Sequence, residues 1–263
     1  MLKRISIKSL YALALAEEEG VGTAYEYFAK RLVLSNWLKQ IARPHHILIA
    51  GLPQKYGYSL DWLQVAAELE TAVTIIDERP DKLERMKAIV DQMQTQGWFT
   101  NLTPTYQPVP SLTELTEING RFDLILSAEV MQRLGPEARQ TFFNQLCGLA
   151  PALALFAPNE DNPSHTEISG LNGLHQGELD ALRFRAQAYG VKVGKRGRYQ
   201  SGYIDMPPFP PGIVRSEAQR EQATSGQLEA IAMWGLGYYA RAEKLWPGFI
   251  RRRQAHIVYM LLS

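Results

Sequence analysis

The feature that most narrows the fold of this chain is an alternation of short apolar runs with helical runs. His46-Ile47-Leu48-Ile49-Ala50 is apolar throughout, Ala72-Val73-Thr74-Ile75-Ile76 repeats the pattern, and Phe122-Asp123-Leu124-Ile125-Leu126-Ser127 and Leu153-Ala154-Leu155-Phe156-Ala157 follow. Strands that are apolar on both faces need cover on both, which flanking helices supply in a parallel sheet.

The helical runs have their own punctuation. Residues 5–43 read as two helices, with Tyr27, Phe28, Val33, Leu34, Trp37, Leu38 and Ile41 at helical spacing, and Pro44 ends them. Ser59 is the expected N-cap of a helix over 60–69, with Asp61 in its first turn. Pro80 opens a helix whose face is Leu83, Met86, Ile89 or Val90, and Met93. Pro136 opens another, with Phe142, Phe143, Leu146 and Leu149 turned inward, and a helix over 176–189 stops at Gly190. A third strand is expected near 102–107, a β-rich stretch over 191–205, and a last strand over 255–262.

Composition removes several classes. The formal charge is +1 in 263 residues, so no global field draws the chain to nucleic acid or an anionic membrane. Cys147 stands alone, which rules out an intrachain disulfide and a cysteine zinc site, and its apolar surroundings point to a buried, inert thiol. No apolar stretch approaches the ~18 residues that span a bilayer. Lys3, Arg4 and Lys8 before the apolar run 10–16 caricature a secretory signal, but the run is short, so a packing helix and a cytoplasmic protein without a membrane partner are expected.

In an open parallel sheet, ligands sit beyond the carboxyl ends of the strands. The residues there are Gly51-Leu52-Pro53-Gln54-Lys55-Tyr56-Gly57-Tyr58 after the first strand, Asp77-Glu78-Arg79 after the second and Ser127-Ala128-Glu129 after the fourth. This series over roughly residues 40–160 resembles the motifs of the class I S-adenosylmethionine (SAM) methyltransferases, especially small-molecule ones. The resemblance implies an α/β fold: a Rossmann-like, seven-stranded, mostly parallel sheet with an antiparallel last strand between strands five and six, and helices on both faces. It implies SAM as cofactor, with Gly51, Leu52, Pro53, Tyr56 and Gly57 in the first turn, Asp77 and Glu78 toward the ribose, and Ser127, Ala128 and Glu129 flanking cofactor and acceptor. The residue types suit those roles: one carboxylate can accept both donors of a ribose diol, and Gly51 lacks a Cβ that would keep a ligand from the backbone. Tyr25, in the segment 18–27 before the first strand, is a further candidate, because carboxylates and aromatic rings suit a sulfonium cation.

The turn departs from the family pattern, since Ile49 holds the usual acidic position and Pro53 and Lys55 hold the later glycine positions. Two expectations therefore stand: a methyltransferase acting on a small molecule, or a catalytically inactive relative serving as a binding or assembly subunit. A nicotinamide enzyme is disfavoured by the lack of G-x-G-x-x-G spacing. For catalysis the candidates are Glu129 and His165, the latter a general base in the polar loop 158–166. Glu160, Asp161 and His165 are too weak a set to call for a metal, and none is expected.

The expected organisation is a helical lid over 1–43, a SAM-binding core over 44–205, an insertion over 206–250 with a proline run and an aromatic helix, and the closing strand over 251–263. Trp234, Tyr238, Tyr239, Trp246 and Phe249 in the insertion are too many aromatics for a solvated helix, so they are expected to pack on the sheet, to line a pocket or to form a homodimer contact, with packing or dimerisation favoured over substrate contact. Lys192, Lys195, Arg196 and Arg198 and the run Arg251-Arg252-Arg253 would lie at opposite ends of a closing hairpin, which disfavours a nucleic-acid substrate.

Overall fold

A computed structural model describes the chain except residues 1, 55–56, 116–117, 119, 164–166, 168–169, 171, 189, 192–197 and 209–226, and the side chains of 227–232. Seven strands form one sheet in the order β3-β2-β1-β4-β5-β7-β6: β1 His46–Ala50, β2 Ala72–Asp77, β3 Thr105–Pro108, β4 Leu124–Ala128, β5 Leu153–Pro158, β6 Tyr199–Ile204 and β7 Ile257–Leu262. The first five run parallel to their neighbours, and β7 enters antiparallel between β5 and β6. This is the α/β sheet the sequence implied, with β3 a few residues later than expected.

Period-two alternation divides the side chains between two apolar layers. Ile47, Ile49, Leu124 and Leu126 join the layer covered by α1 Ile7–Ala16, α2 Val21–Trp37, α3 Leu60–Leu69, α4 Pro80–Thr95 and α7 Gln227–Ala242. Leu48, Ala50, Ile125 and Val258 join the layer under α5 Pro136–Leu149 and α6 Gln176–Ala188, while α8 Gly248–Gln254 leads into β7. The α4 face is Leu83, Met86, Val90 and Met93, so the choice between Ile89 and Val90 falls to the valine. On α5, Phe142, Phe143 and Leu146 are buried and Leu149 only partly so. Cys147 is half-buried, and burial pushes its thiol up to about 12.

One cap differs from its sequence signal. Ser59 has φ 58°, in the left-handed region, and its side chain makes no capping bond. Glu17, at the end of α1, does that work from another element. Its carboxylate accepts the Leu60 amide at 2.7 Å and the Tyr58 amide, and the Tyr27 hydroxyl donates to it at 2.7 Å. Gly57 has φ +63°, and a Cβ there would overlap that carboxylate. Glu17→Ala leaves the buried Leu60 amide and the part-buried Tyr58 amide without an acceptor, so urea denaturation is expected to show a loss of about 2–3 kcal/mol.

The antiparallel entry of β7 decides which residues meet at the carboxyl edge of the sheet. Pro158, Ile257 and Ile204 lie in one register row across β5, β7 and β6. The start of β7 and the end of β6 therefore share an edge with the ends of β1, β2, β4 and β5. His256 and Asp205 thus join Gly51, Asp77, Glu129 and Asn159.

Candidate functional site

The first cluster at that edge is centred on Asp77, which is fully buried. Its carboxylate accepts the Leu52 amide at 2.7 Å, the Arg79 amide at 2.9 Å, Arg79 Nε at 2.7 Å and Arg133 Nη2 at 3.0 Å. Burial alone would raise this carboxyl, but the Arg79 hydrogen bond and the Arg133 charge outweigh it and hold it below its ordinary range. Arg79 also donates to the carbonyls of Leu52 at 2.8 Å and Pro53 at 3.2 Å. One carboxylate and two arginines thus tie the turn after β1 to the ends of β2 and β4.

Gly51 has φ +80°, and the space a Cβ would fill is taken by Val130, whose Cγ2 lies 2.8 Å from that position. The close approach that needs glycine here is made by the segment after β4. Leu52 and Pro53 are buried, and the Gln54 amide donates to the Glu129 carbonyl at 3.2 Å, which draws the turn to that segment. The Ser127 hydroxyl donates to the Ala50 carbonyl at 2.7 Å, so it staples β4 to β1, and Ala128 is buried beside it. Glu78 accepts the Leu112 amide at 3.2 Å and lies 3.7 Å from Arg133 Nη1. Tyr56 and His165 lie outside the described residues.

A second cluster lies toward α2. Glu129 has φ +54°, outside the usual range for a side-chain-bearing residue, and its Oε2 is buried without a hydrogen-bond partner. Burial, with the nearby Glu26 charge, pushes its carboxyl up to about 8. Lys30 is only 1% exposed, and its ammonium pairs with Glu26 at 2.9 Å and Asp61 at 3.2 Å. It also sits over the Trp62 ring, 4.5 Å from the centroid, and the Tyr27 ring at 4.8 Å. Burial would lower the Lys30 pKa, but the Asp61 and Glu26 charges raise it beyond its ordinary value, so it stays charged.

Tyr25 is tied to another element. Its hydroxyl donates to Glu243 of the turn after α7, and Glu243 accepts the Asp205 and Met206 amides at 3.1 and 2.8 Å. Asp205 pairs with His256 Nδ1 at 3.2 Å, and its Oδ1 is buried without a hydrogen-bond partner. Tyr25 thus locks α2 to the end of β6. In the loop after β5, Asn159 Nδ2 donates to the carbonyls of Arg252 at 2.7 Å and Ala255 at 2.8 Å, and Asn162 Nδ2 to that of Gln254 at 2.9 Å. These asparagines satisfy carbonyls at the end of α8. Asp161 and Glu160 pair with His175 at 3.3 and 3.2 Å, and Asp161 with Arg252 at 2.8 Å.

Sequence reasoning missed Lys30, Asp61 as its partner, Arg133, Asp205, His256 and Glu243. Only the Glu26–Lys30 pair, four residues apart on a helix, carried a local signal. The others meet only once the sheet is assembled.

The strand order and the antiparallel β7 define the class I SAM methyltransferase fold. Solved structures share it: the methyltransferase domain of bacterial CtHen1 aligns with TM-score 0.53 at 9% identity, over 91% of this chain and 99% of that one. A SAM-dependent methyltransferase from Clostridium acetobutylicum ATCC 824 aligns with TM-score 0.50 at 7% identity, over 91% of each chain. The small RNA methyltransferase HEN1 aligns with TM-score 0.51 at 13% identity, over 89% of this chain and 25% of that one. No family model and no curated protein matches the sequence.

The ion network makes Asp77 a structural residue whatever else it does. Asp77→Ala strands Arg133, whose side chain is only 9% exposed, and is expected to cost about 3 kcal/mol or more in chemical denaturation. Asp77→Asn, which keeps an acceptor for the Leu52 amide, is expected to lose less.

Proposed function

We propose that this protein is a SAM-dependent methyltransferase acting on a small molecule. The observation that carries the reading is the placement of Asp77 at the end of β2, beside the Gly51 turn and in hydrogen-bond contact with its Leu52 amide. A carboxylate there suits the two hydroxyls of a ribose, and Arg133, whose contact with it is 3.0 Å long, is the group that yields to admit them. The orphaned Oε2 of Glu129 suits the cationic half of the same cofactor. SAM, when bound, supplies a methyl group activated for direct displacement.

The protein's own residues then orient the acceptor, exclude water and take up its proton. Glu129 is the proton acceptor in this reading, because it is buried at the end of β4 and its carboxyl lies at about 8. His165 is the second candidate for that role. A small acceptor is favoured over nucleic acid by the burial of the groups around the site: Lys30, Asp61, Asp205 and Glu243 are each at most 4% exposed, so the Lys30 cation is not presented to a phosphate backbone.

A second reading, an inactive binding or assembly subunit, is favoured by one feature. The Gln54–Glu129 hydrogen bond and the two arginines on Asp77 close the turn by contacts within the chain. Calorimetric titration with SAM separates the two. A methyltransferase binds SAM at micromolar concentration, and Arg133→Ala, by removing one of the three donors on Asp77 Oδ2, tightens binding roughly tenfold. Absence of binding by both proteins, each shown to be folded, leaves the subunit reading.

An accepted proton also sets the pH dependence. Glu129 works ionised, so kcat/KM for methyl transfer rises with pH through about 8 and levels off above it. Glu129→Gln is expected to lose that limb and about 10²–10⁴-fold in rate. A profile unchanged by the substitution moves the role to another residue.

A further inference from the structure

Helix α7 and the turn after it leave one face uncovered. Trp234, Tyr238, Arg241 and Leu245 fall on a single stripe, spaced by three and four residues. Trp234 is 67%, Tyr238 57% and Leu245 78% exposed, and Phe249 at the start of α8 is 71% exposed. Trp234, Tyr238 and Phe249 therefore do not pack on the sheet, while Tyr239 is partly buried against the core, its ring 6.5 Å from that of Tyr25 on α2. Alongside the stripe runs a groove of about 590 Å³ between α7, α2 and residues 2–7. Ile5, Phe28 and Met233 give it an apolar lining, while Lys3, Arg4, Lys39 and Arg241 supply cations. No carboxylate lines it, and none of those four cations forms an ion pair among the described residues.

Exposed rings beside a cationic groove mark a contact with something else, and the charge selects the occupant. A second copy of the chain, docked about a two-fold axis, would set these cations against themselves. A nucleic acid would use the cations and the rings, but would leave Leu245 and the aliphatic lining without a partner. An anionic bilayer surface uses all three. Trp and Tyr favour the headgroup level, aliphatic side chains enter the acyl boundary, and Lys and Arg meet the lipid phosphates. We propose that this face docks on an anionic phospholipid surface. Docking requires no spanning segment, and no helix among the described residues is long and apolar enough to cross a membrane. The proposal goes beyond methyl transfer and does not depend on it.

Co-sedimentation of the full chain with vesicles tests it, comparing pure phosphatidylcholine with phosphatidylcholine containing phosphatidylglycerol. The chain is expected to bind the anionic vesicles at least roughly tenfold more tightly, with the advantage falling as salt is added. Trp234→Ser with Phe249→Ser should lose binding to both kinds of vesicle. Arg4→Glu with Lys39→Glu should lose only the anionic preference. All four positions are exposed, and circular dichroism checks that the variants fold. The proposal fails if neither vesicle carries the protein down or if both do so equally. It also fails if light scattering shows a dimer that the Trp234→Ser variant breaks, or if single-stranded polyuridylate binds this face and vesicles do not.

Discussion

The organisation of the strand ends rests on one buried charge. An isolated carboxylate at the position of Asp77 would carry a large desolvation cost, and only dense pairing makes it tolerable. The partners come from three places: an amide of the turn after β1, the residue two beyond β2, and an arginine from the turn after β4. Meeting that demand fixes the path of the β1 turn, since Arg79 also holds the Leu52 and Pro53 carbonyls. A chain without the spaced glycines of this fold can still make a tight turn, because ionic hydrogen bonds supply order that backbone shape alone does not.

The same edge carries a second kind of electrostatics toward α2. Lys30 sits between two carboxylates and two aromatic rings, while Glu129 and Asp205 each keep one buried oxygen without a hydrogen bond. Carboxylates outnumber cations there, so burial holds Glu129 and Glu243 well above the ordinary range, at about 8 and about 7. Groups of this kind are costly to leave unmatched and are found where binding or proton transfer repays them. The outer face of α7 has the opposite character, with cations and exposed rings and, among the described residues, no acid lining its groove. A net charge of +1 conceals both, since it averages an acidic interior edge with a basic outer groove.

Much of the fold was legible along the chain. The apolar runs at 46–50, 72–76 and 153–157 are strands because side chains on both faces had to be covered, and the prolines that open α4 and α5 mark positions where the missing amide costs nothing. The limits of that legibility are equally specific. Ser59 has the right residue type for a cap, but its side chain makes no capping bond, and the Tyr58 and Leu60 amides at this helix start are held by Glu17, about forty residues away in sequence. Nor does the sequence show that the Ser127 hydroxyl donates to the Ala50 carbonyl or that Glu78 accepts the Leu112 amide. Tyr25 belongs with Glu243, over two hundred residues distant, and nothing local could have announced that pair.

What the sequence determined by itself was the class of fold and the strand ends that bear polar residues, because hydrophobic periodicity and turn chemistry are local properties read over a few residues. The tertiary structure alone decided which polar residues meet. The antiparallel entry of β7 brings His256 and Asp205 to the edge that holds Asp77 and Glu129, and the crossing of α2 over that edge delivers Lys30. It also gathers Lys3, Arg4, Lys39 and Arg241, separated along the chain, into one groove. Charges interact through space, so their partners are set by the packing of the whole chain and not by their order along it.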